Sequence, residues 1–310
     1  MSLFRRDRPT DPDGPADPHL PPLSAADADH LTDLARREFD AVGIQVEPDG
    51  QGALVAEHAT YGLGNLAALA GGLPRRRWRK LVRAHVQTIL DAEDDSSDDS
   101  EDGILYFKLR PLDHIDTPPR YAPEVLPGIL LVSAVDHPTH VRELLSDDHL
   151  DEYGGWDEAY RTGLANLREL PDPEHTSMQG IRNDPATEVH LFATDDFFGA
   201  SRIAILPELL GSIGIERPSH GVLIGIPNRH LLTVHVVSGD GLLAALRTMI
   251  KIGHAEHDGR EGAITPEVFY RAADGETQQL TWTTDEQSVQ LRVSGRFAEV
   301  LDELDLALGE

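Results

Sequence analysis

The chain has 310 residues, 40% of them hydrophobic, and 54 acidic against 27 basic side chains give it a formal charge of −27. No cysteine is present, which excludes disulfides, thiolate zinc ligands and cysteine nucleophiles. The acidic balance opposes nucleic-acid binding, and no apolar run approaches the roughly 20 residues that cross a bilayer or has the form of a signal peptide, so we expect a cytoplasmic protein without a transmembrane segment.

The N-terminal third is predicted to hold three segments of different character. Residues 1–23 contain six prolines among charged residues and have little to bury, which indicates a disordered tail. Residues 24–92 are predicted to form an N-terminal helical lobe, in which Ser24 caps the first helix and Gly43 ends it. Residues 93–103 include an almost purely acidic run, typical of a solvated linker.

The last helix of this lobe has a basic face. Its apolar stripe is predicted to comprise Trp78, Leu81, Val82, Val86, Ile89 and Leu90. Clustered guanidinium groups beside an aromatic ring suit phosphate binding, so this face is a candidate anion-binding or membrane-surface site made of Arg75, Arg76, Arg77, Arg79 and Lys80. We favour the simpler interpretation that the following acidic run neutralises these charges.

Residues 104–310 are predicted to form an α+β core domain. Strands are expected at 104–109, 128–134 and 188–193, a helix at 156–170 and a polar loop at 171–186. A late hairpin from 280–283 and 289–293 precedes a closing amphipathic helix. The fold class is therefore α+β, with a mixed, largely antiparallel sheet and packed helices.

The core domain is organised around Gly221–Gly253, which reads as strand, turn, strand and helix. Val222, Ile224 and Ile226 lie in an apolar strand, and the residues from Pro227 to His230 are predicted to form a four-residue hairpin loop. Gly253 is expected at the C′ position of the helix that follows. The loop residues Asn228, Arg229 and His230 are the best candidate for a binding site, because they place an amide, a cation and a titratable ring on a rigid hairpin.

Several stretches of the chain resemble the YtpQ-like family of bacterial proteins, a domain of unknown function. The most specific is GVLIGIPNRHLLTVHV at 221–236, and the others are GILLVSAVD (128–136), GLANLREL (163–170), FFGASRIAILPELL (197–210) and ITPEVFY (264–270). The resemblance implies an α+β fold and bacterial occurrence. It implies no activity and no catalytic residues.

Fifteen histidines raise the question of metal binding or catalysis. No pair is accompanied by an HExxH motif or an evident third ligand, and His230 and His235 are spaced so that they face opposite sides of a regular strand. GxSxG, GxGxxG and phosphate-loop motifs are absent. We therefore expect no catalytic residue, metal or cofactor.

Two function hypotheses remain open at the level of sequence. The first is a non-enzymatic binding module for another protein or a small ligand, with a protein partner and no nucleic acid. The alternative is an unrecognised hydrolase or metal-dependent enzyme that uses His190, His230 and His235 near the central hairpin.

Overall fold

A computed structural model describes residues 16–48, 50, 52–56, 60–94, 103–115, 117–137, 141–179, 184–257, 262–284 and 288–306. The chain divides into two compact units. The first comprises Met1–Gly103, Asp136–Arg142 and Gly259–Glu261, and the second comprises Ile104–Val135, Glu143–Asp258 and Gly262–Glu310.

The first unit packs three helices beside a small antiparallel sheet. Its elements are α1 (Ala25–Ala41), β1 (Glu47–Pro48), β2 (Ala53–Val55), β3 (Thr60–Gly62), α2 (Gly64–Gly71), a 3₁₀ turn (Arg75–Arg77) and α3 (Trp78–Asp94). Ser24 caps α1, since its hydroxyl accepts a hydrogen bond from the Asp27 amide at 3.3 Å. Trp78 is fully buried in the core and donates its indole N–H to the Ala70 carbonyl at 2.9 Å, which ties α3 to α2.

The predicted tail of residues 1–23 is too long at its C-terminal end. Leu20 and Leu23 are buried in the core of the first unit, and Ala16 forms a bridge with Ser24. The burial of these two leucines stabilises the segment. The composition of residues 1–23, dominated by proline and charged residues, did not indicate it. The rest of the predicted tail, 1–15, and the acidic run at 95–102 lie outside the described residues.

After Gly103 the chain is built mainly of strands, with helices between them. In order, the elements are β4 (Ile104–Pro111), β5 (Glu124–Leu126), β6 (Ile129–Asp136), β7 (Val141–Glu143), α4 (Trp156–Glu169), β8 (Glu174–Met178), β9 (Val189–Ala193), α5 (Leu206–Ser212), β10 (Val222–Asn228), β11 (Leu231–Val236), α6 (Leu242–His257), β12 (Val268–Arg271), β13 (Thr277–Gln279), β14 (Thr281–Thr283), β15 (Val289–Leu291) and α7 (Gly295–Glu303).

The second unit contains a six-stranded antiparallel sheet. Its strand order is β13–β12–β10–β11–β9–β8. A smaller sheet has the order β4–β6–β5, and β14 pairs with β15. The prediction of an α+β fold with largely antiparallel pairing is confirmed.

Helix α6 covers one face of the large sheet and packs on β10, β11 and β12. The C′ position predicted for Gly253 is wrong, because α6 continues to His257. A Cβ at position 253 would lie 2.4 Å from the Pro266 carbonyl oxygen, so the glycine admits a neighbouring backbone inside the helix.

The polar loop predicted at 171–186 is also wrong in part. Residues Glu174–Met178 form β8, the edge strand of the large sheet, and all five are exposed. An exposed edge strand has no apolar face to bury, so the alternation that signals a strand is absent from its sequence.

No helix in the part of the chain that the structure describes has the length and apolar character needed to cross a bilayer.

Candidate functional site

The candidate residues of the central hairpin lie at a tighter turn than predicted. Strand β10 continues through Asn228, which pairs with Leu231, so the loop contains two residues, Arg229 and His230, and not four. A register shift between Gly225 and Asn228 absorbs the extra length as a bulge. Pro227 therefore belongs to the strand, where its carbonyl accepts a hydrogen bond from the Ile264 amide at 2.9 Å.

Asn228 holds the hairpin together from inside. Its side chain is buried, with 3% of the residue exposed. The amide nitrogen donates to the Glu256 carbonyl at the end of α6 at 2.7 Å, and the amide oxygen accepts from the His230 backbone N–H at 2.9 Å. Both halves of the carboxamide are used within the protein, so neither points to a ligand.

Arg229 and His230 are likewise engaged with the surrounding loops. The Arg229 guanidinium carbon lies 3.7 Å from the ring centroid of Phe197, a cation–π contact. Its Nε donates to Nε2 of His230 at 2.9 Å, which places the proton of a neutral His230 on Nδ1. The backbone carbonyls of the two residues accept from Ala200 and Thr194. The structure thus shows the hairpin tip as a packed junction of loops.

The basic residues of the first unit form a cleft. Arg76, Arg79, Lys80 and Arg83 line a surface cavity of about 390 Å³, hereafter the basic cleft. Their spacing repeats every three or four residues, which places them on one side of α3 and of the turn before it. The apolar stripe on the other side, with Trp78, Val82 and Val86, fixes this orientation because it is buried in the core.

Of the five predicted anion-binding residues, the structure brings Arg76, Arg79 and Lys80 together. Arg75 forms an ion pair with Asp27 of α1, a carboxylate of which only 2% is exposed, and its charge is used there. Arg77 does not line the cleft. Arg83 was missed by the sequence analysis, although its position one helical turn beyond Arg79 and Lys80 is a signal that could have found it.

A carboxylate of α1 pairs with two of the arginines that line the basic cleft. Glu38 of α1 accepts from Arg83 at 3.0 Å and from Arg79 at 3.4 Å. The hydrogen bond from Arg83 is the main cause that lowers the pKa of Glu38, and the same bond raises the pKa of Arg83. The side chain of Lys80 makes no hydrogen bond or ion pair with any residue in the described ranges. Arg79 and Arg83 thus share one carboxylate, and the side chains of Arg76 and Lys80 bring two further cations to the same surface.

Two of the histidines named in the enzyme hypothesis bond within the large sheet. Nδ1 of His235 and the Glu188 carbonyl lie 2.7 Å apart, and Nδ1 of His190 lies 3.2 Å from Nε2 of His175. Burial lowers the pKa of His235 and of His190, which favours neutral rings. Within the described residues, no group of three or more His, Asp or Glu side chains is arranged to hold a metal ion.

Comparison of the chain with protein-family models, curated proteins and solved structures yields no match.

Proposed function

We propose that this protein is a non-enzymatic binding module that captures a small phosphate-bearing anion in the basic cleft. One observation carries the proposal: the four cations Arg76, Arg79, Lys80 and Arg83 line one surface depression of about 390 Å³. Like charges held this close repel one another, and a bound dianion relieves that repulsion. Each arginine guanidinium can also donate two parallel hydrogen bonds to the oxygens of one phosphate group.

A small anion suits the basic cleft better than a nucleic acid does. The formal charge of −27 produces a field that repels a long polyanion over its whole length. At physiological salt, charges more than about 8 Å away are largely screened, so a ligand that fits within the cleft experiences mainly the local cations. This comparison supports a phosphorylated metabolite over DNA or RNA.

The central hairpin supports this proposal less well. Asn228 uses both ends of its amide within the protein, and the Arg229 guanidinium stacks on Phe197. The three histidines of the enzyme hypothesis each have a partner within the fold, which gives that alternative no specific support. A cytoplasmic location and the resemblance to the YtpQ-like family remain predictions that accompany the proposal.

Calorimetric titration with inorganic pyrophosphate tests the proposal. The variant R76Q/K80Q removes two charges of the basic cleft but leaves the Glu38 pairs of Arg79 and Arg83 intact. The matched control R247Q/K251Q removes two exposed charges from α6, in the second unit. We expect R76Q/K80Q to bind pyrophosphate about tenfold or more weakly and the control to bind it within about twofold of the original protein.

Salt provides a second arm of the same experiment. Binding to the basic cleft should weaken when the ionic strength rises from about 0.1 M to 1 M, because the Debye length falls from about 10 Å to about 3 Å. Equal affinities of R76Q/K80Q and the original protein for pyrophosphate would contradict the proposal. A titration in which the original protein shows no binding of pyrophosphate would contradict it as well.

A further inference from the structure

A second surface, in the second unit, has the opposite character to the basic cleft. Four of the protein's nine tyrosines and tryptophans lie together there: Tyr121, Tyr153, Trp156 and Tyr160, hereafter the aromatic patch. The ring centroids of Tyr121 and Trp156 are 5.2 Å apart, and those of Trp156 and Tyr160 are 5.1 Å apart. All four residues are half-buried.

The aromatic patch rests on a fully buried layer. Phe107 lies below it, fully buried, with its ring centroid 5.5 Å from that of Tyr160. Gly163 of α4 makes room for Phe107, since a Cβ at this position would lie 2.6 Å from the ring. The support is rigid, and large rings held on a rigid surface are the side chains that most often dominate the energy of protein–protein binding.

The segment that carries Tyr153 and Trp156 is rich in carboxylates. Residues 147–158 contain six acidic side chains and no lysine or arginine. The carboxylate of Asp147 accepts a hydrogen bond from the Tyr121 backbone N–H at 3.1 Å, which places one carboxylate of this segment, hereafter the acidic rim, beside the aromatic patch. Arg161, the first cation after the segment, is already paired with Glu158.

Three of the rim carboxylates are available to a partner. The side chains of Asp148, Asp151 and Asp157 are exposed, and none of them makes a hydrogen bond or ion pair with a residue in the described part of the chain. Ring faces carry a negative quadrupole and attract cations, most strongly a planar guanidinium that can stack on them. Neighbouring carboxylates add to this attraction and repel an acidic partner.

We infer that the aromatic patch and its acidic rim form a docking surface for a partner protein, which presents a segment carrying several arginines. The arginines stack on Trp156 and Tyr160 and form ion pairs with Asp148, Asp151 and Asp157. Stacking on two rings and pairing with three spaced carboxylates requires several guanidinium groups in a row. This surface is separate from the basic cleft, so the inference stands or fails independently of the proposed function.

Octa-arginine and octa-lysine peptides, titrated into the full chain at about 0.1 M salt, provide the test. An acidic protein attracts any cationic peptide, so the comparison of variants decides the result. D148N/D151N/D157N neutralises the rim, and E216Q/E276Q/D302N neutralises three exposed carboxylates elsewhere in the same unit. We expect the rim variant to bind octa-arginine about tenfold more weakly and the control variant to change by less than about twofold.

The rings are tested separately. We expect W156L to weaken octa-arginine binding severalfold and the original protein to prefer octa-arginine over octa-lysine, because lysine stacks less well. The peptide comparison needs no variant and remains informative if W156L does not fold. Equal weakening by the two triple variants, or equal affinity for the two peptides, would overturn the inference.

Discussion

His175 on β8 and His190 on β9 bond to each other through their imidazole rings, with Nε2 of the first 3.2 Å from Nδ1 of the second. The strand register places His175 opposite Phe192 and Ser177 opposite His190, so the histidines are diagonal neighbours on one face of the sheet. One ring must donate and the other accept, and a ring that accepts must be neutral because a protonated imidazole has no free acceptor nitrogen. The bond that joins edge strand β8 to β9 through side chains is therefore sensitive to protonation.

The stability of the protein should fall between about pH 7.5 and pH 5.5. Burial lowers the pKa of His190 and of His235, and His175 lowers that of His190 further, against the opposing effect of Glu188. In the unfolded chain both histidines titrate near 6.5, so below that pH the unfolded state binds more protons and the free energy of unfolding decreases. Urea denaturation across this pH range measures the slope.

Two variants assign the pH effect. The carboxylates with lowered pKa values, such as Glu143 and Glu188, lose their contribution only below about pH 4.5, outside the window. We expect H190N to flatten the slope and H149N, at an exposed position in the same unit, to leave it unchanged. His235 and His85, whose pKa values are also lowered by burial, contribute a residual slope in both variants. An H190N slope as steep as that of the original protein would contradict the assignment.

Asn228 is predicted to matter for stability more than for binding. Replacement by Ala removes the bonds to the half-buried Glu256 carbonyl and from the His230 N–H, and it should cost about 2–4 kcal/mol of unfolding free energy for the two lost bonds. Replacement by Asp keeps the acceptor but sets a carboxylate against the Glu256 carbonyl, so it should be no less damaging. Chemical denaturation measures both.

The control for Asn228 is its neighbour Arg229, which has a half-buried side chain at the same turn. We expect R229M to keep the apolar contact with Phe197 and to lose about 0.5–2 kcal/mol for the cation–π interaction. Stability of N228A within error of the original protein would show that the amide is not a structural clamp and would return Asn228 to the list of binding candidates.

The central unit shows what the sequence could and could not predict about the fold. Both strands and the helix were predicted, because their apolar periodicity is strong. The burial of two polar side chains of β11, Thr233 and His235, was not predicted. The Thr233 hydroxyl bonds to the Gly225 carbonyl, and Nδ1 of His235 bonds to the Glu188 carbonyl. Such pairings depend on backbone groups distant in sequence, and local patterns do not show them.

The candidate site was predictable to a similar extent. The clustering of Arg76, Arg79 and Lys80 follows from helical spacing alone. The pairing of Arg79 with Glu38 of α1 does not, since it depends on how two helices pack. The aromatic patch was not predicted at all, because Tyr121 and Trp156 are brought together by strand and helix packing across 35 positions of the chain.

Gly163 should tolerate no side chain. In G163A the new Cβ would lie 2.6 Å from the Phe107 ring, which is fully buried and cannot move without opening the α4–β4 packing. We expect a loss of about 1–3 kcal/mol. The control is G211A in α5, where the Cβ meets nothing within 4 Å and the lower entropy of the unfolded chain should add about 0.4–1 kcal/mol. Opposite signs in thermal denaturation confirm the prediction, and two losses of equal size would contradict it.

Two arginine–carboxylate pairs in the second unit have similar forked geometry but different burial. Arg202 donates to both oxygens of Asp196, at 3.2 and 3.0 Å, and to the Pro171 carbonyl at 2.9 Å, with only 3% of its side chain exposed. Arg168 donates to both oxygens of Glu208 at 2.8 and 2.6 Å, but 45% of its side chain is exposed.

Burial should decide what each of these pairs contributes. R202Q removes the two bonds to Asp196 and the bond to the Pro171 carbonyl; since Arg202 is 3% exposed and Asp196 24% exposed, we expect a loss of about 2–4 kcal/mol. R168Q breaks a solvated pair and should cost less than about 1 kcal/mol of unfolding free energy. Added salt at about 0.5 M should reduce this loss further, because it screens exposed charges. Urea denaturation of the two variants gives both values. Losses of similar size would mean that water reaches the Arg202 pair, and the rigid anchoring of the loop before α5 would have to come from its apolar contacts instead.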